Sequence, residues 1–508
     1  MPTASLCTAA TFRRRFMQFV AAQIVIATLI AVIGLWTSPL QDDMAEAWAW
    51  GREFQLGYAK HPPFFAWVAG AWFLLFPRFD WCFYLLSSVN AAVGFVGIWC
   101  LAGLFLEDRA RLGAVLLAAL VPFQTIVAIN FNATSALLST WPWVAYCFVR
   151  SMEGGGLRYA ILLGVVAALA VLTKYVSVLL LASCLIASFL HPQAKCYYRS
   201  AAPYVAGLLF TALIAPHVYW LIQHNWPTID YAMLKTWRSR TFTSIQAVNV
   251  TAVAIAAHGL MLWGFLLAFG KSGPTLLRRA VVSIKEAQCA WLWALVLGPF
   301  LLMLACVPIL NVKLSPKFLT PMFFLVPTAL LALSSAEVRE DHLRLITRLW
   351  LVASLGCAIA ALLLSYTMFR WQIGLAQFPH REMAQLVTDE WHSVFNRPLR
   401  IVAASQDDGH ALAFYSADAP SHFIEMNFAV APWITPTRIE REGLLIVCRD
   451  ADADCTDRAA KFADPHSRRR QVSVSRSHWG WKAPNRQFTL IFIAPRGVLG
   501  SWNSDARR

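Results

Sequence analysis

Residues 42–63 read DDMAEAWAWGREFQLGYAKHPP and gather Asp42, Asp43, Glu46 and Glu53 with Arg52, Lys60 and His61. A positioned carboxylate that takes a proton as a bond forms is worth about 10²–10⁴ in rate, so this density of acids suits general-base work. Lys60 and His61 supply the opposite sign, with lysine acting as a compact point charge. Asp42 and Asp43 need not share a site, because successive side chains point apart; sharing one would raise one pKa and make a better base. Trp48, Trp50 and Tyr58 add aromatic surface, and Pro62-Pro63 stiffens the end of the stretch through fixed φ angles. The plain alternative is a run of solvated interfacial acids. The mixed charge, the aromatics and the stiff end favour a loop that holds a polar headgroup at a membrane surface.

The elements around it make the membrane explicit. The chain has 508 residues, 58% hydrophobic and 14% charged, with mean hydropathy +0.53. A soluble domain carries roughly 25% charged residues. Apolar stretches at 17–39, 84–106, 112–129, 134–150, 158–173, 176–190, 201–221, 247–269, 291–309, 318–334 and 346–367 predict about eleven membrane helices. The region 158–190 is divided because one helix there would run about 50 Å against a hydrocarbon core of about 30 Å. It would also carry Lys174 mid-span, at a cost of about 3 kcal/mol, so Lys174 is expected at an external turn. Residues 63–77, bounded by prolines and rich in Trp and Phe, read as a helix lying in the outer interface.

An odd span count puts the loop at 40–83 and the tail on the same, non-cytoplasmic face. The other loops then carry Arg109 and Arg111, Arg150 and Arg158, Lys195 and Arg199, Lys271 and Arg278, and Arg339 and Arg344, as the positive-inside bias expects. That bias accounts for the net charge of +15 without nucleic acid. Arg13–Arg15 precede an apolar run with no small-residue cleavage site, which reads as a retained anchor. The predicted organisation is a membrane domain over 1–369 and a small α/β or mixed-β soluble domain over 370–508, where RIVAAS, GLLIVCR, QVSVSR and FTLIFIAPR look like strands.

Within RDADADC, alternate aspartates could begin a calcium loop, but Cys455 and Lys461 stand where a glycine and a glutamate are needed, so a polar turn is expected. Cys448 and Cys455 bracket it on the face where disulfides persist, and a local bridge is one of two readings. No phosphate-binding GxxxxGK[ST], no GxGxxG and no Gly-x-Ser-x-Gly elbow occurs, so nothing calls for a nucleotide.

The stretch DDMAEAWAWGREFQLGYAKHPPFFAW resembles the first external loop of polyprenyl-phosphate-dependent glycosyltransferases of the GT-C superfamily. The branch it is most similar to is related to protein O-mannosyltransferases and contains the aminoarabinose lipid A transferases and rhizobial lipid A galacturonosyltransferases. Spacing from Asp43 through Gly57-Tyr58 to His61-Pro62-Pro63 carries the likeness. The resemblance implies a multi-pass protein of the bacterial inner membrane, with the first loop and C-terminal domain periplasmic. It implies a polyprenyl-phosphate sugar donor, a lipid or glycolipid acceptor such as lipid A, and no nucleotide. Asp43 is carried over as the catalytic carboxylate with Asp42 as its neighbour, and Glu46 and Tyr58 lie in the same motif as substrate contacts. The lysine of the family's KPP aligns with His61, which shifts the phosphate role towards Lys60.

Further cations for the donor phosphate are Lys174, Arg238 in LKTWRSR, and Lys313 and Lys317 in NVKLSPK. Asn132, near which family members carry an aspartate, is either a helix cap or a sugar contact. His224 is either an interfacial histidine or a ligand to acceptor or metal. The residues single out no certain cofactor, and a divalent metal stays open. A transporter or flippase of a lipid-linked glycan would also use many spans. It would be expected to show inverted repeats and midplane polar groups, neither of which is evident here.

Overall fold

The computed structural model describes residues 2–236, 240–310, 315–450, 452–464 and 467–496. Along the chain the first helices are α1 (Pro2–Gly34), α2 (Asp42–Gly51), α3 (Phe64–Leu75), α4 (Asp80–Ala102), α5 (Asp108–Ala118), α6 (Leu137–Met152), α7 (Leu157–Thr173) and α8 (Ser177–Leu190). They are followed by α9 (Ala194–Arg199), α10 (Ala202–Gln223), α11 (Pro227–Thr236), α12 (Arg240–Phe269), α13 (Gly273–Val282), α14 (Ala290–Leu310), α15 (Val326–Leu333) and α16 (Glu340–Arg370). The remainder alternates: α17 (His380–Phe395), β1 (Ile401–Ala404), α18 (Gln406–Tyr415), β2 (Ser421–Ile424), α19 (Pro436–Glu442), β3 (Leu444–Arg449), α20 (Ala453–Ala460), β4 (Arg468–Val474), β5 (Ser477–His478), β6 (Trp481–Lys482) and β7 (Arg486–Ile493).

Each apolar stretch read from the sequence carries helix. Among the described residues, 6 helices are long and apolar enough to cross a membrane, or 7 if α5 and the turns at Pro122–Ile129, bent by 89°, form one span. Pro122 explains the bend, since its ring and missing N–H cannot continue the helix. The stretches on α6, α7, α8 and α15 form helices of 8–17 residues, short of a straight span.

The chain divides into two compact units. One comprises Met1–Ile30 and Tyr84–Ile359. Its helices approach through small residues, as lipid-embedded helices do when apolar burial offers no drive to associate. A Cβ on Gly164 of α7 would stand 2.6 Å from the Ala206 carbonyl of α10, and one on Gly298 of α14 would stand 2.6 Å from Ser183 Oγ of α8. The short helices α7 and α8 are thereby each laid against a longer one. Between them Lys174 is extended (φ −162°, ψ 135°), so the lysine sits at the helix break, where its cost mid-helix is avoided. Arg15 grips Glu340 with two hydrogen bonds of 3.0 and 2.7 Å, tying α1 to the start of α16.

The other unit comprises Ala31–Phe83 and Ala360–Arg508. The loop that carries the candidate motif thus packs with the C-terminal segment, a grouping that a boundary at residue 369 does not draw. Its five-stranded sheet has the order β2-β1-β3-β7-β4; β1 runs parallel to β2 and β3, while β7 is antiparallel to β3 and β4. Helix α17 shares a core with the sheet through Met383, Val387 and Trp391 against Leu445, Val447 and Leu490. The C-terminal part is therefore mixed α/β, as the strand-like stretches predict.

Helices α2 and α3 touch backbone to backbone. A Cβ on Gly51 would lie 2.1 Å from the Ala66 carbonyl, and one on Gly70 would lie 2.5 Å from the Gly51 carbonyl. That contact sets the direction in which α2 presents its acids. The RDADADC turn begins a helix: the Asp452 carboxylate accepts from the Cys455 N–H at 2.9 Å and caps α20. Cys448 and Cys455 are bridged. Replacing both by serine is expected to destabilise this unit by about 2 kcal/mol, the lower part of the usual range because the closed loop is short. Thermal unfolding of the variant beside the oxidised parent checks it, and equal midpoints contradict it.

Candidate active site

Asp42 and Asp43 open α2, and Glu46 follows one turn later. Asp42 is held at both oxygens from α18: His410 Nδ1 lies 2.7 Å from Oδ1, and Gln406 Nε2 donates to Oδ2 at 3.0 Å. Burial alone would raise its pKa, but the charge and hydrogen bond of His410, the Gln406 amide and the charge of Lys60 outweigh burial and hold Asp42 well below the usual carboxylate range. Asp43 exposes 31% of its side chain, against 2% for Glu46, and stands 3.8 Å from Lys60 Nζ. Lys60 bridges the two, donating to Glu46 at 2.8 and 3.2 Å. One ammonium is therefore shared between a buried carboxyl and an accessible one.

Burial pushes Glu46 up from an ordinary 4.5 to about 7, against the charges of Lys60 and His410. A carboxyl that keeps its proton in the fold and loses it in the unfolded chain favours the fold at low pH. That contribution is complete below about 4.5 and is lost as pH rises to about 7. Glu46→Gln cannot titrate and is expected to flatten stability across this window. Unfolding midpoints of parent and variant from pH 4 to 8 read it directly, and an unchanged pH slope contradicts the assignment.

Aromatic packing holds the rest of the loop. Tyr58 is buried, stacks on Trp50 at 4.8 Å and donates to the Trp50 carbonyl at 2.6 Å, and burial raises its pKa. His61 packs edge-on against Trp50 and Phe65, at 6.4 and 5.7 Å. Tyr58 is thus part of the scaffold under the acids rather than a side chain reaching outward. His410 is itself buried, edge-on to Trp50 at 6.2 Å and to His422 at 4.8 Å. Next to it Asp408 receives two bonds of 2.7 Å from Arg449 and lies 3.1 Å from His380 Nε2, which fixes the first turn of α18.

Asp42, Glu46 and His410 have donor atoms within 4.8 Å of one another, so they are the described residues able to hold a divalent cation. In this structure Asp42 is hydrogen-bonded to His410 and Glu46 to Lys60.

The structure therefore brings together Asp42, Asp43, Glu46, Tyr58, Lys60 and His61 in one unit. Lys174, Lys317, Asn132 and His224 belong to the other. There Lys174 Nζ donates to Thr134 Oγ1 at 2.5 Å and lies 5.2 Å from the Phe318 ring. Asn132 Oδ1 accepts from the N–H groups of Thr134 and Ser135 at 2.8 and 3.1 Å, closing a turn ahead of α6, whose own N-cap is Ala136, and it meets Lys174 through Thr134. His224 stacks on Trp220 at 4.3 Å at the end of α10. Lys317 is exposed. Arg238 and Lys313 lie outside the described residues.

Sequence reasoning missed Gln406 and His410. The signal nearest to them is the polar run SQDDGH directly after the apolar IVAA, but its partner Asp42 is 364 residues from Gln406 and 368 from His410.

Comparison with known proteins bears on this geometry. Residues 60–220 match the family described as dolichyl-phosphate-mannose-protein mannosyltransferase. ArnT from Cupriavidus metallidurans, solved with undecaprenyl phosphate bound, superposes with a TM-score of 0.57 at 13% identity, over 93% of this chain and 98% of that one. Its apo structure gives 0.59 at 12% identity, over 94% and 98%. The chain has the GT-C fold. A GT-C reading accounts for the multi-pass helical layout and the small sheet-bearing C-terminal segment together. A curated relative, the lipid A galacturonosyltransferase RgtD of Rhizobium johnstonii, is 29% identical over 204 residues. That stretch spans 37% of this chain and 40% of the relative.

Proposed function

We propose that this protein is a membrane glycosyltransferase that moves a sugar from a polyprenyl-phosphate donor to an envelope lipid, lipid A or a related glycolipid, on the periplasmic face of the bacterial inner membrane. The observation that carries the reading is the accessible Asp43 beside Lys60 at the start of α2, in a chain of GT-C fold. An acceptor hydroxyl attacks the anomeric carbon as its proton passes to Asp43. The new bond forms from the acceptor oxygen, and the bond from the anomeric carbon to the phosphate oxygen breaks. Its electron pair leaves with the polyprenyl phosphate, whose growing charge Lys60 offsets. Asp42 is a poor base in this scheme, because both of its oxygens are engaged and its pKa is depressed. Its role is to lock α2 against α18, so that Asp43 is presented in one orientation. The other basic candidates, Lys174, Lys317 and His61, remain proposals for the donor phosphate, and Asn132 and His224 for sugar or acceptor.

The similarity to RgtD and to ArnT bound to undecaprenyl phosphate supports both the donor class and a lipid acceptor. The test is reconstitution of the purified full-length chain in liposomes with polyprenyl-phosphate sugars and lipid A. An acceptor heavier by one sugar residue is the expected product. Donor that crosses the bilayer without any transfer would overturn the reading in favour of a flippase.

A further inference from the structure

The β5–β6 hairpin exposes two tryptophans, one on either side of Gly480. Its turn is Trp479-Gly480, with φ of 51° and 77°. Two-residue hairpin turns of this left-handed kind favour Asn-Gly, and a bulky side chain in the first position is uncommon. Trp479 is nevertheless 50% exposed and Trp481 46% exposed, with Trp371 (69%) and Ile373 (57%) exposed in the segment just after α16. Such residues are neither core nor solvent-adapted surface.

The hairpin is fixed in place. Trp479 meets Tyr366 at 5.8 Å, His478 meets Phe369 edge-on at 5.2 Å, and the Arg370 guanidinium lies 4.1 Å from the Trp481 ring. At its foot, Arg476 donates to the carbonyls of Thr37 and Ala376. The three aromatic contacts are all made with the last turns of α16.

We infer that the hairpin is a membrane-interface anchor, with Trp479 and Trp481 seated in the headgroup layer of the bilayer that α16 crosses. Three observations choose lipid as the occupant. First, the apolar window of α16 is only 11% buried within the protein, and Leu355, Ile359, Leu362, Leu363 and Leu364 all face outward. A lipid-facing band therefore runs along the same helix up to residue 364. Second, the step from Leu364 to Arg370 is about 9 Å of helix, comparable with the thickness of one headgroup layer. Third, the segment SRSHWGWKAPNR holds the exposed Lys482 and Arg486 and no acid, and a basic rim with tryptophans suits anionic headgroups. The inference does not depend on which reaction the protein performs. Through Arg476 and Thr37 it ties the start of the loop that leads to Asp42 to the membrane surface.

The experiment places the photoreactive p-benzoyl-phenylalanine at 479 or at 481 in the full-length chain in nanodiscs of phosphatidylethanolamine and phosphatidylglycerol. The same group at Arg469, exposed on the edge strand β4, is the reference. Both hairpin positions replace one exposed aromatic with another, so folding is retained. After irradiation, a mass shift of one phospholipid is expected at 479 and 481 at several times the level at 469. Phospholipid adducts no more frequent than at 469 overturn the inference, and so does crosslinking to polypeptide instead of lipid.

Discussion

Asp43→Asn is expected to lower sugar transfer by about 10²–10⁴, the range for loss of a positioned general base, while leaving the fold almost unchanged. The substitution keeps shape and removes only the capacity to take a proton. Asp43 is more exposed than Asp42 or Glu46, so its neutralisation leaves the buried Lys60–Glu46 pair intact. Initial rates with donor and acceptor varied separately, beside an unfolding midpoint, separate chemistry from stability. A rate within a few-fold of the parent would remove Asp43 from the mechanism. A matched loss in the unfolding midpoint would recast it as structural.

Gly409→Ala is expected to damage both stability and transfer, although residue 409 touches no substrate. A Cβ there would lie 1.9, 2.3 and 2.4 Å from three ring atoms of His422, a buried side chain on β2. Because that ring is enclosed, relieving the clash moves the strand or α18, and overpacking of this kind costs about 1–3 kcal/mol or more. Since α18 also carries Gln406 and His410, its displacement loosens the clamp on Asp42. The expected result is a lower unfolding midpoint together with a lower rate. Adding His422→Ala should recover part of both, because the two changes act on one contact. A Gly409→Ala variant that matches the parent, or a double variant worse than the sum of the singles, would contradict this account.

How much of this was legible beforehand follows from range. The apolar stretches announce their helices because each is a local signal, and Lys174 marks a break because a lysine mid-span is costly wherever it occurs. The acids of the first loop, Lys60 and the aromatic scaffold announce themselves by density within one short stretch. That Lys60 closes on Glu46, 14 residues earlier, is decided by the Gly51–Gly70 contact between α2 and α3, which spacing alone does not reveal. The clamp on Asp42 is less accessible still. His410 and Gln406 become partners only when the C-terminal segment folds against the first loop, and a single sequence carries no trace of a contact made over more than 360 residues. Asn132 shows a smaller displacement: local chemistry offers it as a helix cap, but the fold uses its side chain to close a turn onto Thr134 and Ser135 and starts α6 after Ala136.

The most direct test of the central claim is mass spectrometry of envelope lipids from cells that carry the parent protein, lack it, or carry Asp43→Asn. The account predicts that one glycolipid loses the mass of a single sugar residue in both the deletion and the variant. An envelope lipid profile identical in all three strains would contradict it.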